Sequence, residues 1–119
     1  LGKMYAARSV RPAPARDDKI VTSWNALTVQ AFAEAGVAFG RNDYVAVAAR
    51  TADLLLERLY VDGRLRRTYA EGAAHHLACL DDYANLLVAV LALYDATFDP
   101  RWVRTATQIA ADALELIED

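Results

Sequence analysis

Apolar residues recur at helical spacing in four stretches of the chain, and two of those stretches carry almost nothing else. From Thr22, the positions Leu27, Ala31, Phe32, Ala35 and Phe39 run toward Gly36 and Gly40, which predicts a helix over 22–39 with Thr22 or Ser23 as its cap. A second helix is predicted over 43–60. Asn42 or Asp43 caps it, and Tyr44, Val47, Ala48, Thr51, Leu55 and Leu59 form its apolar stripe, with Arg50, Asp53, Glu57 and Arg58 off that stripe. The third begins at Asp81 or Asp82 and reads DDYANLLVAVLALYDAT, with charge only at its two ends. The fourth opens on Asp99-Pro100, a cap followed by proline at the first helical position, and places Trp102, Val103, Ala106, Ile109, Ala110, Ala113, Leu114 and Ile117 on one face.

Between the second and third helices, Asp62-Gly63 is a tight-turn signal, so a short β-hairpin or an irregular excursion is expected around 60–72. Before the first helix, Pro12 and Pro14 hold Arg11 and Ala13 away from helical geometry, and the segment up to about Ile20 is expected to be an extended arm. The chain divides into an arm (1–21), a first helical hairpin (22–60), an excursion (61–79) and a second hairpin (80–119). At an offset of 58 residues, Tyr44 matches Trp102, Ala48 matches Ala106, Ala52 matches Ala110, Leu56 matches Leu114 and Leu59 matches Ile117, so the hairpins read as tandem repeats. In each, the first helix is apolar nearly all round and the second has one wet face. That alternation predicts an all-α fold in which the first helices form an inner ring and the second an outer ring, as in part of an α/α toroid; periodicity alone fits a four-helix bundle equally.

Composition narrows the class of function. The 119 residues suit one domain or part of one, with 55% hydrophobic and 24% charged residues. A net charge of −3 provides no electrostatic reason for a nucleic-acid partner. The longest apolar run, Leu86 to Tyr94, is far shorter than the roughly 20 residues that span a bilayer. No membrane partner is expected, and a soluble chain follows. Cys79 is the only cysteine, which rules out an intrachain disulfide or a CxxC pair and makes a reducing, cytoplasmic setting the expectation.

The strings RPAPARDDKIVTSWNALTVQAFAEAG, DGRLRRTYAEG and LDDYANLLVAVLALYDATFDPRW resemble, in this order, the C-terminal part of the YyaL-like, or spermatogenesis-associated protein 20, family. The resemblance covers roughly residues 8–105 and rests on Arg11-Pro12, Asp17-Asp18-Lys19, Trp24-Asn25, Asp62-Gly63-Arg64-Leu65 and Asp82-Tyr83-Ala84. Ala26 departs from it, standing where the family usually has glycine. The resemblance implies an α/α toroid similar to six-hairpin glycosidases and N-acylglucosamine 2-epimerase. The thioredoxin-like domain that precedes the toroid in that family lies outside the match, so no redox role and no cofactor are implied.

If the two inner helices run parallel, both N-termini fall at one end, and Asp17, Asp18, Trp24, Asn25, Asp82 and Tyr83 crowd one rim. Carbohydrate sites need aromatic faces for the sugar ring and carboxylates for its hydroxyls or its proton transfers. The rim therefore suggests a carbohydrate site of epimerase or glycosidase kind, with Asp18, His76 and Asp82 as catalytic candidates and Asp17, Trp24, Asn25 and Tyr83 as binding candidates. The plainer reading makes Asp17-Asp18 a solvated or Lys19-paired arm and Asp81 a helix cap, and makes the chain a binding or structural module. His75-His76 lies just before the third helix, where one imidazole offers acid/base chemistry; adjacent histidines on extended chain cannot both face one pocket. Two neighbours without a spaced third ligand do not read as a metal site. Trp102 and Tyr44 are expected to pack the hairpins and Cys79 to act as a small apolar residue. The inner helices carry more apolar surface than two hairpins cover, which predicts self-association or a partner that completes the wall.

Overall fold

The computed structural model describes residues 2–11 and 17–118; the calls on Pro12 and Pro14 lie outside them. In chain order the elements are α1 (Gly2–Ser9), β1 (Ile20–Val21), α2 (Thr22–Phe39), α3 (Asn42–Leu59), β2 (Tyr60–Val61), β3 (Arg64–Ala70), β4 (Ala73–Leu77), α4 (Leu80–Thr97) and α5 (Pro100–Glu118). The four long helices stand where the apolar spacing puts them. Residues 1–10, expected as part of an extended arm, instead contain α1, a two-turn helix with no buried residue.

The caps differ from expectation at three helices. Neither Thr22 nor Ser23 caps α2, because Thr22 Oγ1 donates across the molecule to the Arg66 carbonyl at 2.7 Å and is engaged in tertiary structure. Gly40, in the left-handed conformation at φ 64°, closes α2, and the Arg41 N–H bonds the Gly36 carbonyl at 2.8 Å. The chain is thereby turned so tightly that α3 starts after Arg41, and Asp43 enters its first turn in a two-pronged ion pair with Arg41 rather than capping it. At α4, Cys79 occupies the cap position and the Asp82 carboxylate reaches back to the Cys79 N–H at 2.9 Å. Only α5 starts as predicted, with Asp99 Oδ1 accepting the Arg101 N–H at 3.0 Å.

The excursion is larger than one hairpin. β3 is the central strand, paired antiparallel with β1 and β4 on either side of one half and with β2 at its other half. Asp62-Gly63 and Glu71-Gly72 make the two turns, all four residues at positive φ. β3 also fixes the helices. Thr22, at the start of α2, bonds the Arg66 carbonyl, and the Leu65 N–H donates to the Tyr83 hydroxyl in the first turn of α4 at 3.2 Å. Both N-termini thus sit on neighbouring residues of one strand. The C-terminal halves of α2 and α4 share a groove lined by Ala33, Glu34, Val37 and Ala38 on one side and Ala92 and Asp95 on the other. The two helices therefore run parallel, side by side.

α3 backs α2, and α5 backs α4. The close approach of α2 to α3 occurs at Gly36, and Phe32 meets Tyr44 edge to face at 5.5 Å. Trp102 is buried, with the Arg101 guanidinium 3.6 Å above its ring, so Trp102 and Tyr44 pack the hairpins as expected. α2 and α4 bury six residues each, against four for α3 and three for α5, so the two apolar helices are the more buried, as expected. A mostly helical fold with a small antiparallel sheet results. No helix among the described residues is long and apolar enough to cross a membrane.

Candidate functional site

The end of the molecule capped by the sheet holds every predicted site residue, but it does not bring them into one pocket. β1 carries Asp17 and Asp18 to this end, since Ile20 and Val21 pair with Tyr69 and Thr68; on the other side of β3, Thr68 pairs with His75. Asp17, Asp18, Trp24 and His76 are exposed. The Asp17 carboxylate accepts the Lys19 backbone N–H at 3.2 Å and lies 3.0 Å from the Lys19 ammonium. These hydrogen bonds to Lys19 hold its carboxyl below the usual aspartate range. This is the arm-fixing ion pair anticipated for Lys19.

Trp24, in the first turn of α2, is 67% exposed and does not belong to the core. Asn25 beside it is half-buried, and its side-chain amide donates to the Val21 carbonyl at 2.9 Å, bracing the strand-to-helix junction. The histidine pair departs from the extended geometry assumed for it. His76 has φ 60°, which breaks the alternation of the strand and leaves the two ring centroids 6.2 Å apart.

Asp82 and Tyr83 face inward. Tyr83 is buried and uses its hydroxyl to receive the Leu65 N–H, which makes it a tie between α4 and the sheet. Asp82 is fully buried; its Oδ2 holds the Cys79 N–H, while Oδ1 has no hydrogen-bond partner among the described residues. An acid/base pair of His76 with Asp82 therefore has no common solvent-facing surface here, because one member is exposed and the other enclosed. Cys79 is exposed rather than packed as an apolar residue, and the Arg67 guanidinium donates to its sulfur at 3.5 Å. Ligand atoms of Cys79, Asp81 and Asp82 lie within 4.8 Å of one another. Sequence spacing did not show that cluster, which forms because the first turn of α4 folds Asp82 back over Cys79. Arg67 supplies positive charge on its sulfur side, which disfavours a cation there.

The cavities along the helices are lined by other residues. One of about 380 Å³ lies between α2 and α3, against Ala31, Phe32, Ala35 and Tyr44, and one of about 240 Å³ is the groove between α2 and α4. Neither includes a predicted site residue. Elsewhere the Tyr60 hydroxyl is buried beside Asp112 with no hydrogen-bond partner of good geometry among the described residues, and burial together with that negative charge pushes it above the ordinary phenol range.

Comparison with known proteins gives a consistent neighbourhood. The chain is 32% identical to spermatogenesis-associated protein 20 of Mus musculus and 29% identical to that of Homo sapiens, over 92% of its length in both cases. It is 31% identical over 89% of its length to an uncharacterized protein of Caenorhabditis elegans. The chain spans only about 15% of the length of the mouse and human relatives. No family model matches it.

Proposed function

The chain belongs to the spermatogenesis-associated protein 20-like family, and on that premise we propose that it forms a segment of the wall of an α/α toroid, a structural module whose sheet-capped end contributes to a carbohydrate-binding rim. The observation that carries the wall reading is the parallel pair α2 and α4, each backed by an amphipathic partner and both seated by their N-termini on β3. In a toroid of helical hairpins the inner helices are parallel neighbours and the outer helices cover them, so each hairpin repeats the placement of the one before. Imaging of a complete protein that contains this stretch tests the reading. A closed ring of paired helices is expected, and an isolated four-helix bundle at this segment overturns it.

Trp24 favours the carbohydrate rim. An indole that is two-thirds exposed, at the same end as Asp18 and the histidine pair, provides a stacking face with polar groups in its neighbourhood. Within this segment the arrangement suits binding better than catalysis, since Asp82 and Tyr83 are enclosed and engaged in structural hydrogen bonds. Thermal-shift titration of the complete protein with neutral and acidic sugars tests it. Stabilisation that is lost in Trp24→Ala supports the rim, whereas no shift with any sugar leaves a purely structural module.

A further inference from the structure

The second hairpin shows what becomes of a cleft that the first leaves open. Between α2 and α3, the cavity of about 380 Å³ is lined by Ala31, Phe32, Ala35 and Tyr44, of which Ala31 is exposed and the others half-buried. The helices α2 and α3 recur 58 residues on as α4 and α5, and the four lining positions recur as Ala89, Val90, Leu93 and Trp102. None of these is more than 1% exposed.

The two hairpins are built alike, so the difference is what a neighbour adds. α4 packs against both α2 and α3, and the flank of the second hairpin is thereby closed by the hairpin before it in the chain. The same flank of the first hairpin stays open. α1, the one helix among the described residues that precedes α2, buries no residue and lines no part of the cleft. A repeat of this kind does not bury its apolar flank alone, and stacked neighbours bury it.

We infer that the α2–α3 cleft seats a helical hairpin that precedes α2 in a longer polypeptide, set against it as the first hairpin here is set against the second. The inference rests on the wall reading and deepens it by naming the partner and its seat. The occupant is a hairpin because a hairpin covers the equivalent positions in this molecule. It belongs to the same polypeptide because the mouse and human relatives are long enough to supply it, this chain spanning only about 15% of their length. Its contacting side is apolar. Of the four lining side chains only that of Tyr44 carries a polar atom, which leaves no set of groups for a polar ligand.

Photo-cross-linking in a complete protein that contains this stretch tests the seat. A benzophenone side chain replaces Ala31 and, in a second variant, Thr28 one turn earlier, whose counterpart Leu86 is also fully buried. Peptide mapping is expected to find the new bond within one copy, to sequence that lies before residue 1; a mixture of isotopically light and heavy copies separates bonds within a copy from bonds between copies. Cross-links to α1 alone, to sequence after residue 119, to a second copy or to nothing each overturn the seat. A smaller probe guards against misfolding of those variants. In a Cys79→Ser background, Ala31→Cys is expected to react with a maleimide about tenfold more slowly than Arg50→Cys, which lies exposed on α3, and equal rates overturn the seat. The wall reading fails separately: imaging that shows a closed ring with this cleft empty overturns the seat alone, whereas an isolated four-helix bundle overturns both.

Discussion

The two tryptophans separate exposed from core chemistry at the level of single side chains. Trp102 is buried in the α4–α5 hairpin, so Trp102→Ala is expected to cost about 3–5 kcal/mol in urea unfolding. Trp24 stands open at the sheet end, and Trp24→Ala is expected to change stability by about 0.5 kcal/mol or less. Equal losses from both would return Trp24 to the core and remove the aromatic platform from the proposed rim. Asp17 supports a spectroscopic check. Its ionised form is held by the side chain and backbone of Lys19, so its carboxyl titrates below the usual aspartate range, and Lys19→Met is expected to raise the NMR midpoint because the ammonium is lost. An unchanged midpoint would show that the ammonium contributes nothing. Which end of the molecule holds the candidate residues was legible in the sequence. Which of them face outward was not, because Asp82 and Tyr83 turn inward through bonds to Cys79 and Leu65 that no local pattern announces.

Among the secondary-structure elements, the boundaries of the four long helices were readable to within a residue or two because apolar spacing is a property of the helix itself, whereas α1, which has no buried face, was not; the helix expected over 22–39 is found at Thr22–Phe39. The sheet was only partly readable. Asp62-Gly63 marked its first turn, but β1 is two residues long and is a strand only because Ile20 and Val21 meet Tyr69 and Thr68 from far along the chain. Caps were misread for a related reason: Thr22 and Asp43 are good capping residues whose side chains found stronger partners in Arg66 and Arg41. Gly36 tests the packing of α2 on α3. Helix propensity alone favours alanine over glycine by about 1 kcal/mol, yet a Cβ there would stand 2.5 Å from Val45 Cγ2 and 2.9 Å from the Arg41 carbonyl oxygen. Because the second neighbour is backbone, Gly36→Ala is expected to destabilise by about 1–3 kcal/mol in thermal or urea unfolding. A gain in stability would mean that the two helices do not approach this closely.

Taken whole, the molecule is a slab rather than a sphere. Its principal extents are 56 × 38 × 19 Å, and its radius of gyration is 17.4 Å, whereas a compact chain of this length has a radius of about 13.5 Å. Part of the excess is α1, which buries nothing; the rest follows from two layers of helices, α2 and α4 against α3 and α5. Neighbours in sequence close the α2–α3 and α4–α5 hairpins, whereas the packing of α2 on α4 and the ties of β3, to Thr22 across 44 residues and to Tyr83 across 18, join distant parts of the chain. That difference sets an order of events as the chain folds. The helical hairpins close short loops and form early, while α2 can dock on β3 only after a long loop has closed. Thr22→Val removes the hydroxyl from that late contact. In stopped-flow measurements it is expected to leave the refolding limb nearly unchanged and to speed unfolding, with an overall loss of about 1 kcal/mol. Slower refolding with unchanged unfolding would instead place the strand in the nucleus, and the central strand would then organise the helices before they pack rather than lock them afterwards.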